Sequence, residues 1–242
     1  MNAFGISDVG KVRNNNEDSM FFSDKPFSFL PNLYIVADGL GGHNSGEVAS
    51  SKSIEFFLEY CEKNPKNNDI SAFLSEAAQF SNKKIYEMAM SRREYEGMGT
   101  TLSVCAYAGS ALYIAHIGDS RIYGFDGENI TQYTADHTFV GEMVKYGQLT
   151  LDEAKTHHSR HMLTRALGQW YEARFDLSVV APAAKKIVLC TDGLTNMLAD
   201  GEISEILKQT PDDNAKTAMD LLSAAIERGG HDNTTLIVFD IL

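Results

Sequence analysis

Acidic residues recur in one context in this chain: at the ends of short apolar runs. YIVADG ends in Asp38-Gly39, IVLCTDG ends in Asp192-Gly193, and AHIGDSR carries Asp119. Asp232 stands just before TTLIVFDI, and VRNNNED puts Glu17-Asp18 at the start of another run. Short apolar runs read as strands, and strand ends emerge together at one rim of a sheet. Carboxylates gathered there repel one another, and some would protonate; divalent cations remove that penalty. Oxygen donors without paired Cys or spaced His favour a hard ion, Mg²⁺ or Mn²⁺, over Zn²⁺. Two such ions about 3.5–4 Å apart activate water and stabilise the charge of a phosphoryl transition state. Glycine after Asp38 and Asp192 lets the backbone come close, so a main-chain carbonyl can also ligate.

Each of these signals is weak alone. An Asp-Gly pair is more often a turn than a ligand. Asp126-Gly127, between RIYGF and ENITQY, reads as a hairpin turn and serves as the internal control. Asp232 by itself would serve equally well as a cap or turn residue. The combination carries the reading.

The elements that must position these residues follow from periodicity. LYIVADG, TLSVCAYA, ALYIAHIG, KIVLCTDG and TTLIVFDI are the clearest strands. Gly109-Ser110 is a two-residue turn joining the second and third as an antiparallel hairpin. Runs such as 187–190 and 236–239 are apolar at every position, as expected when both faces of a strand are covered. Ile54, Phe57, Leu58 and Cys61 mark one helical face; Ile70, Phe73, Leu74 and Ala77 mark a second. Asn44 to Glu47 has the spacing of a capping box for the first helix. A third helix is expected over about 213–228, with Ala215, Ala218, Met219, Leu222 and Ile226 on one face. Residues 137–161 carry many charges and several histidines, and read as a surface flap. The expected fold class is α+β: a four-layer α-β-β-α sandwich of two antiparallel sheets flanked by paired helices. No linker or repeat divides residues 1–242, so a single domain is expected.

Composition bounds the function. The 242 residues are 43% hydrophobic and 22% charged, as in an ordinary globular chain. A formal net charge of -12 argues against nucleic-acid or anionic-membrane binding. It also means that an anionic substrate needs bound cations or a well-placed Arg. The three cysteines, Cys61, Cys105 and Cys190, are far apart and read as buried free thiols of a reducing compartment. No apolar leader is evident, and no uncharged run approaches the roughly 18–20 residues of a membrane helix. A cytoplasmic location is the expectation.

Read in order, the chain has VRNNNED, VADGLGGHNSGEVAS, MGTT, IGDSR, a Thr-x-Asp-His segment at Thr134–His137, LTRALG, CTDGLTNML and GGHDNTT. This series resembles the PPM family of metal-dependent Ser/Thr protein phosphatases, type 2C, in its compact bacterial form. The resemblance runs from Ser7 to Asp240. It implies a helix-flanked β-sandwich with two core Mn²⁺ or Mg²⁺ ions at one end. By motif position, Asp38 bridges the ions, the Gly39 carbonyl joins one, and Asp192 and Asp232 hold the other. Glu17 and Asp18 match the acidic pair that supports the centre through water. Arg13 matches the arginine that grips the substrate phosphate, and Asp119 matches a ligand of a third, weaker metal. A guanidinium fork binding two phosphate oxygens answers the charge problem. The implied reaction is direct attack of water on phosphoserine or phosphothreonine, without a Ser or Cys nucleophile. Phosphorylated proteins, targets of a bacterial Ser/Thr kinase, are the implied partners of a monomeric enzyme. Animal members carry a histidine after the Asp-Gly, proposed as general acid; here that position is Leu40.

Other residues have blander readings. Gly39-Leu40-Gly41-Gly42 lacks the Lys-Ser/Thr of a phosphate loop. His157, His158 and His161 read as solvated flap residues, and His43 as a helix-entry residue. Arg121 reads as the partner of nearby carboxylates, and Thr100 and Thr101 as strand residues. Three classes of function stay open: an active phosphoprotein phosphatase, a pseudophosphatase, and a hydrolase of small phosphate esters. The second would be expected to lose one of Asp38, Asp192 or Asp232, and all are present.

Overall fold

A computed structural model of the chain describes residues 2–41, 45–65 and 69–241. One sheet contains β2 (Asp18–Ser23), β3 (Leu33–Leu40), β5 (Leu102–Ala108), β6 (Ala111–Ile117) and β9 (Asp176–Val180), in that spatial order. The short β4 (Gly99–Thr100) pairs with the end of β3. The second sheet runs β1 (Phe4–Asp8), β11 (Thr234–Asp240), β10 (Lys186–Cys190), β7 (Arg121–Phe125), β8 (Ile130–Gln132). Neighbouring strands are antiparallel throughout both sheets.

Helices α1 (Ser45–Lys63) and α2 (Ile70–Ser91) cover the first sheet, burying Phe57, Phe73 and Leu74 against Leu33, Ile35 and Val104. The flap segment forms two short helices, α3 (Phe139–Lys145) and α4 (Leu151–Thr156). After β10 come one turn, α5 (Asp192–Thr195), and then α6 (Asp200–Gln209) and α7 (Asn214–Glu227), which cover the second sheet. Between the sheets lies a third apolar layer, where Tyr34 stacks on Phe239 at 3.7 Å. Strands with apolar residues at successive positions are thus buried on both faces, as β3 and β10 required. The expected sandwich is the one found.

Local details refine the expectation. Gly109 and Ser110 have φ of 56° and 67° and join Ala108 to its partner Ala111, the geometry of a type I′ hairpin. Asp126 is the turn residue expected: its side chain accepts from the N–H groups of Glu128 and Asn129, both at 2.7 Å. The buried face of α7 is Ala218, Leu221, Leu222 and Ala225, while Met219 points to solvent. That stripe keeps the i, i+3, i+4, i+7 spacing but is rotated from the one expected: Leu221 and Ala225 join Ala218 and Leu222 in the core, and Ile226 is only partly buried beside them. The proposed Asn44 cap and His43 lie outside the described residues. Helix α6 had no expectation in the sequence.

Candidate active site

The acidic residues meet at one end of the sandwich, and they come from both sheets. Asp18 opens β2 and faces Asp38 of β3 in register. Asp38 lies within its strand rather than at its end. Asp192 begins the turn after β10 instead of ending a strand, and Asp232 precedes β11. Asp119 sits in the tight connection between β6 and β7.

These residues surround an open cavity of about 620 Å³. Glu17, Asp38, Asp119, Asp192 and Asp232 line it, together with Arg13 and Gly39. Asp18 lies behind the wall, where its Oδ2 accepts from Thr191 Oγ1 at 2.8 Å. Arg160, His161 and Leu163 enter from the flap, and Leu40 and His231 complete part of the rim.

Polar neighbours hold this arrangement. The Asp38 N–H donates to Thr101 Oγ1 (2.8 Å), and the Asp38 carbonyl accepts from the Thr101 N–H (2.8 Å) and Thr100 Oγ1 (2.9 Å). Asn233 Oδ1 accepts from the Glu17 N–H at 2.8 Å, which ties the N-terminal acidic pair to the residue after Asp232. Asn196 Nδ2 donates to Asp192 Oδ2 at 2.9 Å. Glycine is required at 39 and 193 by close approach: a Cβ at Gly39 would run into the Gly46 carbonyl of α1, and one at Gly193 into the Asn233 carbonyl. Thr101, Thr191, Asn196 and Asn233 were missed as site residues. Their only signal was their position beside the acidic motifs.

Electrostatics sets the site's demand. Burial, then repulsion from Asp18, Asp192, Asp119 and Asp232, pushes Asp38 well above the usual carboxylate range. Burial, then Asp192 and Asp136, does the same to Asp119. Burial and the neighbouring Asp232 raise Asp192. Burial lifts Asp18 to about 7 against the help of Thr191 and Thr235. Its Oδ1 is buried without a hydrogen-bond partner. Crowded carboxylates and an orphaned oxygen are a donor set that divalent cations and their waters would complete. Among the described residues the carboxylates do not close as a ready cage of three ligands. Hard cations fill much of their shell with water and carbonyl oxygens, so an open bowl fits them.

The cationic groups are few. Arg13 Nη2 donates to Asp232 Oδ2 at 2.8 Å. Burial works against its charge, but Asp232, Glu17 and Asp38 together outweigh it and raise its pKa. Arg121 does not face the bowl; it forks onto Asp136 (2.9 and 2.7 Å) and reaches Tyr123 Oη, the structural pairing expected. His161 Nδ1 lies 4.0 Å from Asp192 Oδ2.

A family model for protein phosphatase 2C matches residues 11–225. The serine/threonine protein phosphatase PstP of Mycobacterium tuberculosis H37Rv is 38% identical over 237 residues, covering 98% of this chain and 44% of that protein. The chain thus spans less than half the length of that relative. The serine/threonine phosphatase stp of Listeria monocytogenes EGD-e is 34% identical over 245 residues, covering 99% of this chain and 96% of that protein. A crystal structure of the PstP catalytic domain in complex with two manganese ions superposes with a TM-score of 0.84 at 35% identity, covering 100% of this chain and 98% of that one. The family model takes in Arg13, Glu17, Asp38, Asp119 and Asp192, and the full-length relatives extend the match past Asp232. This chain belongs to the protein phosphatase 2C family.

Proposed function

We propose that the chain is a metal-dependent protein serine/threonine phosphatase. The observation that carries this reading is the convergence of five carboxylates and Arg13 on one open bowl. Asp38, Asp192, Asp232 and the Gly39 carbonyl would hold two Mn²⁺ or Mg²⁺ ions. Asp119 would serve a third, and Glu17 and Asp18 would support the centre through water. When bound, such ions lower the pKa of water and neutralise charge developing on a transferred phosphoryl group.

The chain's own groups then bind and orient. Arg13 offers a guanidinium fork to two phosphate oxygens. It sits beside Asp232, so a phosphate held there lies against the acidic wall. Thr100 and Thr101 fix the Asp38 backbone, and Asn196 fixes the Asp192 carboxylate. Leu40 leaves no proton donor beside Gly39. The only histidines lining the bowl, among the described residues, are His161 and His231.

The substrates are phosphoserine and phosphothreonine in proteins, targets of a cognate bacterial Ser/Thr kinase. The enzyme acts as a monomer in the cytoplasm; no described helix is long and apolar enough to cross a membrane. The test is phosphate release from a phosphothreonine peptide against a nucleotide monophosphate, with Mn²⁺ and after chelation. Mn²⁺-dependent release from the peptide is expected. Full activity after metal removal, or preference for the nucleotide, overturns the reading.

A further inference from the structure

The Thr-x-Asp-His segment takes no part in the chemistry above, yet all its polar side chains are engaged. Thr134 Oγ1 accepts from the Ile122 N–H at 3.2 Å, and Asp136 grips Arg121. His137 is buried at 4% exposure and meets Gly118 twice. Its N–H donates to the Gly118 carbonyl at 2.8 Å, and its ring Nδ1 accepts from the Gly118 N–H at 3.1 Å. The whole segment is therefore pinned to residues 118–122, the connection that carries Asp119.

The same histidine closes the neck of the flap. Its carbonyl accepts from the Thr164 N–H at 2.8 Å, and the Phe139 N–H donates to the Met162 carbonyl at 2.8 Å. Between those contacts the chain travels out through α3 and α4 and returns with Arg160 and His161 at the bowl.

Only one tautomer satisfies this geometry. A backbone N–H aimed at Nδ1 needs a lone pair there, so the ring proton resides on Nε2. Nε2 faces Asp176 Oδ2 at 3.1 Å, an acceptor. Arg165 Nη1, 3.3 Å from Nε2, then donates to Asp176 Oδ1 (3.1 Å) and shares that carboxylate. The His116 ring packs at 4.9 Å from that of His137 and is itself bonded to Ser103 Oγ and the Ala135 carbonyl.

We propose that His137 is a positioning residue: through Nδ1 it holds Gly118, and with it the aim of Asp119, in register with the neck of the flap. The consequence for metal binding rests on the phosphatase reading; the consequence for the backbone does not.

Two variants of the full chain separate the acceptor from the bulk. His137→Asn keeps an acceptor oxygen at the Nδ1 position. His137→Gln keeps polarity and size but moves its amide to the Nε2 position. Amide hydrogen exchange at Gly118 and Thr164 and calorimetric Mn²⁺ titration are measured on both. In H137Q, Gly118 exchange should rise about tenfold or more, because a buried donor has lost its partner. Its weakest Mn²⁺ site should lose about tenfold in affinity while the tighter sites hold, since only the Asp119 connection is released. H137N should keep both within about threefold of the parent. Unchanged Gly118 exchange in H137Q, or equal damage in H137N, overturns the proposal. A parent chain that binds no Mn²⁺ sinks the phosphatase reading alone, and Gly118 exchange still decides the role of His137.

Discussion

Removing the metal should invert the pH dependence of stability, and Asp18 gives the scale. Its carboxyl is buried, its Oδ1 lacks a partner, and its pKa moves from 3.8 to about 7. A carboxyl raised in the folded state favours folding while both states are protonated. It loses that contribution as pH rises from its unfolded value through its folded one. The metal-free chain should therefore weaken between about pH 4 and pH 8. Between about pH 5.5 and about pH 8, where general acid unfolding does not intrude, linkage for Asp18 alone comes to about 2 kcal/mol. Asp38, Asp119 and Asp192 are raised too and add in the same direction. For a chain of this length, 2 kcal/mol is about 4–8 °C in Tm. Urea unfolding followed by circular dichroism, with chelator and with excess Mn²⁺ at both pH values, measures this. The chelated protein should be less stable at the higher pH, and Mn²⁺ should remove the deficit. Asp18→Asn should flatten part of the chelated slope. A chelated protein equally stable at both values, or one indifferent to Mn²⁺, would refute the account of the bowl as carboxylates awaiting cations.

Asp38→Ala, Asp192→Ala and Asp232→Ala should each lower kcat by about 100-fold or more while the fold persists, as circular dichroism would check. Near-normal turnover in any one removes that residue from the ligand set. Arg13→Ala should raise KM more than it lowers kcat, because a guanidinium placed in advance binds the ground-state phosphate as well as the transition state. A pure kcat loss in steady-state kinetics would contradict this. Asp119→Ala should leave the two tighter ions bound and reduce turnover; unchanged kcat together with an unchanged weak site in the calorimetric titration would remove Asp119 from the ligands.

Much of this was legible because the decisive residues are short-range signals. An apolar run followed by Asp-Gly is read in seven letters, and the strands of 33–40 and 186–190 lie where those letters put them. The supports were not legible, because their partners are far away in sequence. Thr191 reads as one more strand-end hydroxyl until β10 and β2 bring it to Asp18, 173 residues distant. Thr101 was read as a strand residue; its hydroxyl proves to receive the Asp38 amide. Asn233 looks like a turn residue, yet it receives the Glu17 amide across 216 residues. Helical phase was also uncertain in α7, where two overlapping stripes of apolar residues compete and only packing against β11 and β1 selects between them.

The bowl lies across the seam of the sandwich. Asp18 and Asp38 belong to one sheet; Asp192 and Asp232 flank strands of the other. The two sheets act as the jaws of a vice, and the shim between them is the apolar layer where Tyr34 lies flat against Phe239. Jaw spacing at the rim is then set by side-chain thickness deep inside. A substitution such as Phe239→Leu touches no carboxylate, yet by thinning this layer it should shift how far apart the two groups of oxygens stand. Ions of different radius read that distance differently: Mg²⁺ demands short, near-octahedral bonds, and a larger ion tolerates a wider gap. A Phe239→Leu chain whose Mn²⁺ over Mg²⁺ preference differs from the parent's would make selectivity partly a property of the core, reached without touching a carboxylate.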